Sequence, residues 1–318
     1  MKPQTELSRV ERLEPALLLT AVAAGLAVAR VAPQAAALAE RILTPALVLL
    51  LTAVFYRVPL ERLRVAFGHR RYFLTALGLN FVLTPFVAYG LGWLFLRDER
   101  ALWLGLVLVL VTPCTDWYLV FTALARGDVA LNLALLPWNL VLQLLLLPIY
   151  LFLFTQALIP LELSVVARSF LLFVVVPFAL AQVARRFSRS FGTGPAAERS
   201  AVAAQYGSLM LLIVALFAQQ GGVLFAQPRV LLLLIPPLVV FFVVLAAAAL
   251  LAGRAASFSG PTRAALACTA VARNSPLTLS LALVLFPAFP QVALTQVVEP
   301  LVELPFLVLL AWWLRRAS

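Results

Sequence analysis

The sequence predicts an all-α membrane protein of ten transmembrane helices, built as two inverted five-helix repeats with two broken helices crossing in the core. Three observations predict this fold class: the composition, the placement of basic residues and an internal repeat. Of the 318 residues, 64% are hydrophobic and only 12% are charged, whereas a soluble domain carries roughly 25% charged residues. Such a chain cannot cover a globular surface with charge, and it is therefore expected to lie in a lipid bilayer.

Apolar residues come in blocks that are long enough to cross a bilayer. The blocks Leu102 to Val120 and Val230 to Leu251 each exceed the ~18 residues that a spanning helix needs. We predict ten spans, at about 15–32, 38–56, 72–96, 101–125, 129–155, 163–184, 200–219, 229–253, 262–286 and 290–314.

The basic residues predict the orientation. Most of the 24 Lys and Arg residues fall on alternate loops, on the side that holds both termini. Because short cytoplasmic loops carry an excess of Lys and Arg, we expect a multi-pass protein of the cell (inner or plasma) membrane with both termini in the cytoplasm. The net charge of +11 is then a topology signal, and no nucleic-acid partner is expected. The lone histidine, His69, lies in a basic loop, so neither a metal site nor a cofactor is expected.

An internal repeat supports the two-part architecture. Residues 128–131 align with residues 291–294, and the same offset places Pro113 on Pro276. Since the second copy starts after five spans, its orientation in the membrane is opposite to that of the first, which is typical of secondary transporters. We predict a first repeat over residues 1–157 and a second over 158–318.

The fourth and ninth spans each carry a proline in mid-membrane, Pro113 and Pro276, among hydroxyl and ionisable groups. Proline removes a backbone hydrogen bond, and a broken helix survives in lipid only inside protein or beside water. We predict that both helices break here and that their ends face one site near the midplane. The alternative is that the two prolines only kink packed helices. The polar residues of the breaks that we expect to bind substrate are Thr112, Cys114, Thr115, Asn274 and Ser275.

Asp116 and Arg273 are predicted to be the charges deepest in the membrane. Each costs roughly 2.5–3.5 kcal/mol on insertion scales, so each is expected to have a partner. We hypothesise that they form an ion pair across the repeat interface, with a purely structural pair as the alternative. Asp116 is also a candidate proton carrier.

Four further polar residues lie in the fifth and tenth spans. Asn139 and Gln143 are one turn apart on one helix face, and either line the site or bond neighbouring helices. Glu299 is expected near the outer end of its span, in contact with water. Glu303 is expected deeper, where a carboxylate is a functional candidate.

Cys114 lies at the first break, and Cys268 lies in an apolar stretch before the second. Membrane cysteines are usually small packing residues, which is how we interpret Cys268. Cys114 stands among polar groups at a helix break, and its thiolate would be a soft ligand suited to metalloids.

These residues resemble the bile acid:sodium symporter superfamily, most closely its arsenical-resistance branch of arsenite efflux permeases. The resemblance covers nearly the whole chain. Its most specific parts are Thr-Pro-Cys114-Thr, Ala-Arg-Gly127-Asp128 with Asn139, Thr269-Ala270 with Asn274, and Glu299-Pro-Leu-Val-Glu303-Leu-Pro305.

The resemblance implies ten spans, a core domain with two crossing broken helices, and a smaller panel domain that moves against it. It also implies that Cys114 and Glu303 match the cysteine and glutamate associated with transport of trivalent arsenic coupled to proton entry. The implied core helices lie at about 72–155 and 229–314, and the implied panel helices at about 15–56 and 163–219.

Several positions depart from the family pattern. Arg273, Asn274 and Pro276 stand where the branch usually carries two asparagines and a glutamate, and Asp116 replaces a typical alanine. The sodium-coupled members similarly carry a glutamate and a glutamine at the positions of Thr269 and Arg273. Because a fixed cation repels sodium, we expect a proton rather than sodium as the coupling ion, with Arg273 in the role of the sodium ion.

We therefore expect a secondary active transporter that resembles an arsenite efflux permease, exchanging a small metalloid substrate for protons. The alternative is an ion-coupled transporter of an organic anion, with Arg273 as the counter-charge. An intramembrane enzyme is the third reading. It is disfavoured because Asp116 has no second buried aspartate as a partner and His69 lies outside the membrane. Oligomeric state is not predicted.

Overall fold

The computed structural model describes residues 20–21, 23–31, 45–46, 48–53, 55–56, 68–115, 117–158, 171, 175–190, 192–226 and 229–317. This part of the chain is helical, as predicted, and carries one isolated β-bridge, between Pro113 and Arg273. The helices are α1 (Arg70–Gly78), a π-helical turn (Leu79–Leu83), α2 (Thr84–Leu96), α3 (Arg100–Leu110), α4 (Trp117–Leu124), α5 (Val129–Leu158), α6 (Val176–Ser190), α7 (Gly194–Ala226), α8 (Arg229–Ala255), α9 (Gly260–Val271), α10 (Ser275–Leu285) and α11 (Pro290–Ala317).

Four helical segments within the described ranges are long and apolar enough to cross a membrane. They are Arg70–Leu96, Val129–Phe154, Leu232–Ala255 and Pro290–Arg316. Large apolar side chains on their outer faces are exposed, among them Phe86, Leu232 and Leu309. Exposed apolar surface of this extent would be unfavourable in water and is suited to lipid tails.

Some of the predicted spans lie only partly within the described residues. The described residues within 20–31 and 45–56 are helical, although the flanking residues of the predicted spans 15–32 and 38–56 lie outside the described part. The predicted span 163–184 also lies largely outside it. Helix α7 extends further at both ends than the predicted span 200–219.

Two stretches of the chain share the same order of elements. Residues 70–158 and 229–317 each contain a long helical segment, a broken helix and a second long helix. The broken helices are α3 with α4, and α9 with α10. This order agrees with the offset at which the sequence resembles itself.

Both predicted breaks are present, and each has its own local cause. At the first, α3 ends at Leu110, and the hydroxyl of Thr112 donates to the carbonyl of Val109 at 2.9 Å. At the second, Asn274 begins α10 because its side-chain oxygen accepts a hydrogen bond from the N–H of Leu277 at 3.3 Å. Pro276 lies in the first turn of α10, where a missing N–H costs nothing.

Helix α11 packs against α3, α8 and α10, and the α3 contact is unusually close. A β-carbon added at Gly105 would lie 2.7 Å from Thr295 Oγ1. In addition, Gln296 Nε2 donates to the carbonyl of Gly105 at 2.9 Å. This contact holds α11, the helix that carries Glu299 and Glu303, against the first half of the first broken helix.

Candidate functional site

The two breaks meet and run antiparallel to each other. The N–H of Cys114 donates to the carbonyl of Ala272 at 3.0 Å, and the N–H of Asn274 donates to the carbonyl of Thr112 at 2.9 Å. Unpaired peptide groups inside lipid cost several kcal/mol each. Each break therefore satisfies backbone groups that the other one frees, and the crossing lies where the sequence places its candidate site.

Arg273 links the ends of the two first half-helices. It is 0% exposed, and its guanidinium donates to the carbonyl of Leu110 at 2.9 Å and to that of Val271 at 3.0 Å. A third bond goes to the carbonyl of Ala270, and the ring of Phe241 lies 5.2 Å from the guanidinium carbon.

The three carbonyls that Arg273 binds have a common origin. One belongs to the last residue of α3, and the others belong to the last two residues of α9. Carbonyls at a helix C-terminus lack intrahelical partners and carry the negative end of the helix dipole. The side chain of Arg273 is therefore a tethered cation that holds two helix ends at one point.

The predicted ion pair cannot be described, because Asp116 lies outside the described residues. Among the described residues, the hydrogen-bond partners of the Arg273 side chain are backbone carbonyls. Its acidic neighbours are Glu303 and Glu299, which interact with it electrostatically. Sequence reasoning that looked for side-chain partners alone missed this arrangement.

Both acidic residues of α11 belong to the site. Glu303 is 0% exposed, and its Oε1 accepts a hydrogen bond from the backbone N–H of Arg273 at 2.7 Å. Glu299 was expected to be in contact with water, but this expectation is wrong, since it is also 0% exposed. Its Oε2 accepts a hydrogen bond from the hydroxyl of Ser275. Together with Arg273, these are the buried charged residues of the described part of the chain.

The remaining polar residues of the breaks are gathered at the crossing. Asn274 Nδ2 donates to the hydroxyl of Thr115 at 3.3 Å, so one side chain of each break contacts the other. Thr112, Cys114 and Ser275 are buried beside them. Cys114 also lies near enough to Arg273 to interact with it electrostatically. The structure thus brings the predicted substrate-binding residues of both breaks into one polar cluster.

Asn139 lies in a second polar cluster, on the face of α5 that meets α9. Its side chain donates to the hydroxyl of Thr269 at 3.4 Å and accepts from Asn80 Nδ2 at 3.4 Å. Gln143, one turn on, is buried, and neither of its amide atoms has a partner among the described residues. Asn139 thus bonds neighbouring helices, which was the alternative interpretation of this residue.

Asn80 is a buried polar residue of this second cluster that the sequence interpretation missed. It is 0% exposed and lies in the π-helical turn Leu79–Leu83. Such turns are often found at functional sites. The available signal was a single amide in an otherwise apolar stretch, Leu-Gly-Leu-Asn80-Phe-Val.

Comparisons of the sequence with known proteins show a family and two relatives to which the chain is similar. The sequence pattern of the Sodium Bile acid symporter family matches residues 44–227, which is more than half of the chain. The chain is 25% identical to the arsenical-resistance protein Acr3 of Corynebacterium glutamicum, over 72% of this chain and 66% of that protein. It is 27% identical to YbaS, an uncharacterized protein of Bacillus subtilis, over 40% of this chain and 42% of that protein. The chain thus spans just under two thirds of the first relative and less than half of the second.

Proposed function

Because the chain belongs to the Sodium Bile acid symporter family, we propose that it is a secondary active transporter that exports arsenite or a related small neutral hydroxide in exchange for protons. Its family and its similarity to Acr3 make it a membrane transporter of the bile acid and arsenite permease type. The substrate, the direction of transport and the coupling ion are the proposed part.

The crossing of the two breaks is the observation that carries the proposal. It places a buried thiol, Cys114, among hydroxyl and amide groups at the end of a half-helix. Trivalent arsenic is a soft centre, and thiolate sulfur is the ligand type that soft metals and metalloids favour. We assign Cys114 to direct ligation: an As–S bond forms while one As–OH bond breaks, and the thiol proton leaves with that hydroxyl group as water. Release of the substrate reverses this step. We assign Thr112, Thr115, Asn274 and Ser275 to hydrogen bonds with the remaining hydroxyl groups.

The buried charges support protons as the coupling ions. At neutral pH arsenite is uncharged, so export against a gradient needs a coupled ion. Glu303 is a buried carboxyl group that accepts a hydrogen bond from the N–H of Arg273. The carbonyl of the same peptide group accepts a hydrogen bond from the N–H of Cys114. The tethered cation of Arg273 occupies the helix-end carbonyls, which weighs against a sodium ion at the same point.

The organic-anion alternative is favoured by the name of the family alone. It would use the guanidinium of Arg273 as the counter-charge for a carboxylate or sulfonate. That guanidinium already donates to three backbone carbonyls and is 0% exposed. Three of its five N–H donors are thus engaged by the backbone, which favours a structural role.

We propose that transport follows alternating access, with the crossing opened to each side of the membrane in turn. The moving parts would be the core and panel domains of the two inverted repeats, 1–157 and 158–318. The cell membrane, with both termini in the cytoplasm, is the proposed setting, because the basic residues concentrate on one side of the predicted topology.

The test is arsenite tolerance of an efflux-deficient bacterial host that expresses the protein. The wild type should restore growth in arsenite, the Cys114→Ser variant should not, and the matched Cys268→Ser variant should. Both cysteines are buried, so the pair separates ligation from packing. Equal tolerance for Cys114→Ser and the wild type, at equal amounts of protein in the membrane, would refute the proposal and favour the organic-anion alternative.

A further inference from the structure

The two carboxyl groups of α11, those of Glu299 and Glu303, each have one oxygen without a hydrogen-bond partner among the described residues. A single proton shared between these two oxygens would give both of them a partner. One oxygen of each group has a donor, the Ser275 hydroxyl for Glu299 and the Arg273 N–H for Glu303. Glu299 Oε1 and Glu303 Oε2 have no partner among the described residues. Glu299 and Glu303 are four residues apart on α11, so their side chains lie on the same face of that helix. Since an ionised carboxylate only accepts, they can bond to each other only if one of them carries a proton.

The charges around the pair also favour a single proton. Glu299 and Glu303 are both fully buried, and two ionised carboxylates that share a buried site repel each other strongly. Among the described residues, the charged or titratable groups that reach them from the packed elements are Arg273 of the second break and, next to its guanidinium, Cys114 of the first. With one shared proton, the Arg273 cation balances the remaining carboxylate, and the buried charges of the described residues sum to zero.

We propose that Glu299 is a second coupling residue of this transporter and that it shares the transported proton with Glu303. The inference rests on the proposed exchange of substrate for protons. In each cycle a proton from water on one side of the membrane binds a carboxyl oxygen of the pair. It later leaves from that pair to water on the other side, so the O–H bond that forms on entry breaks on exit.

A single peptide group connects this pair to the substrate residues. The peptide between Ala272 and Arg273 donates through its N–H to Glu303, and its carbonyl accepts from the N–H of Cys114. Hydrogen bonds in such a chain strengthen one another. A proton on Glu303 weakens its acceptor, and it therefore weakens the bond that holds Cys114 at the crossing. Proton occupancy at α11 is in this way transmitted to the thiol.

The pair can be tested without measuring transport, by infrared difference spectroscopy of the purified full-length protein after a step in pH. The wild type should show a protonated-carboxyl C=O band. Glu299→Gln should lose it, because the glutamine amide can donate to Glu303 and keep it ionised. Asp98→Asn makes the same chemical change at an exposed acid and should keep the band. An unchanged band in Glu299→Gln overturns the proposal.

If the Glu299→Gln variant does not fold, the same infrared measurement can be made on Glu299→Asp. It shortens the side chain and keeps the acid, so a shared proton predicts a shifted C=O band. A band at the wild-type position would show that Glu299 takes no part and would overturn the proposal.

Flux in liposomes separates this inference from the proposed function. Wild-type arsenite flux should respond to an imposed pH gradient, and Glu299→Gln should lose that response while retaining arsenite–arsenite exchange. If the wild type shows no such flux but the band is lost in Glu299→Gln, the proposed function fails and the shared proton stands. If gradient-driven flux survives in Glu299→Gln with its band unchanged, the pair fails and the function stands.

Discussion

The two breaks occupy matching places in the chain but have different chemistry. The first contains the thiol of Cys114 and the hydroxyls of Thr112 and Thr115, and its acid, Asp116, lies outside the described residues. The second contains Arg273, whose side chain binds carbonyls of both half-helix ends and whose N–H binds Glu303. A repeated backbone arrangement therefore supports divided roles: we assign substrate ligation to the first break, and charge balance and proton coupling to the second.

This division places a cation of the chain itself at the point where the ends of α3 and α9 meet. The ends of α3 and α9 present carbonyl oxygens to one point, and these would repel one another without a cation between them. Arg273 supplies that cation from within the chain. The following experiments test whether the two breaks differ in the way proposed.

The largest effect is expected for Arg273→Gln. It removes a buried cation from three carbonyls and leaves the nearby carboxyl groups without compensation. Breaking a buried charge arrangement in this way costs about 3–5 kcal/mol. The thermal unfolding midpoint in detergent should fall sharply. Arg97→Gln, at an exposed arginine, is the matched control and should leave it unchanged. A stable Arg273→Gln protein would show that the cation does not hold the crossing together.

A smaller effect is expected where α3 packs on α11. Gly105→Val would place new carbon atoms within 3.0 Å of Thr295 Oγ1 and the carbonyl of Val292. Overpacking of this kind costs about 1–3 kcal/mol, and it should also separate the first break from Glu303. The control is Gly90→Val, where an added β-carbon meets nothing within 4 Å.

Thermal unfolding and arsenite flux measure the two consequences of Gly105→Val. Both should fall for this variant, whereas Gly90→Val should retain flux. Normal stability and flux in Gly105→Val would mean that the close contact between α3 and α11 is not needed.

Asn274→Ala should have a mixed result that identifies its role. The substitution removes the N-cap of α10 and the contact with Thr115, and the loss of a cap costs about 1 kcal/mol. Ser259→Ala removes the exposed N-cap of α9 and is the matched control. We expect similar, modest losses of stability but a loss of flux for Asn274→Ala alone. Equal flux in the two variants would make Asn274 a helix cap and nothing more.

The smallest effect is expected for the removal of sodium, which should change neither the stability nor the flux of the protein. A ligand at 100 times its dissociation constant stabilises a protein by about 2.7 kcal/mol, so a sodium site would be visible in thermal unfolding. Replacement of sodium by choline should leave the unfolding midpoint and the flux of the wild type unchanged. A midpoint that rises with sodium would show that Arg273 does not take the place of that ion.

The locations of the breaks could be predicted from sequence because proline and polar neighbours occur there together. Proline alone would have misled, since Pro137, Pro148 and Pro300 all lie inside continuous helices. What distinguishes Pro113 and Pro276 is the surrounding run of hydroxyl and amide groups that can cap helix ends. These polar groups are close to the two prolines in the sequence, so the breaks could be located without knowledge of how the helices pack.

The contacts across the crossing could not be predicted, because they depend on how the helices pack. The register that joins Cys114 to Ala272 is a tertiary property. Glu299 was predicted to contact water because it lies near the outer end of its predicted span. The packing of α3 and α10 against α11 buries it instead. The carbonyl partners of Arg273 were missed because backbone acceptors carry no residue-specific signal.

The most direct test of the central claim is arsenite flux into inside-out liposomes that contain the purified protein, under an imposed pH gradient and without sodium. We expect the pH gradient to drive arsenite accumulation by the wild type and by Cys268→Ser. We expect no accumulation by Cys114→Ser when the liposomes contain equal amounts of protein. Accumulation that persists in Cys114→Ser, or that requires sodium in the wild type, would contradict the central claim.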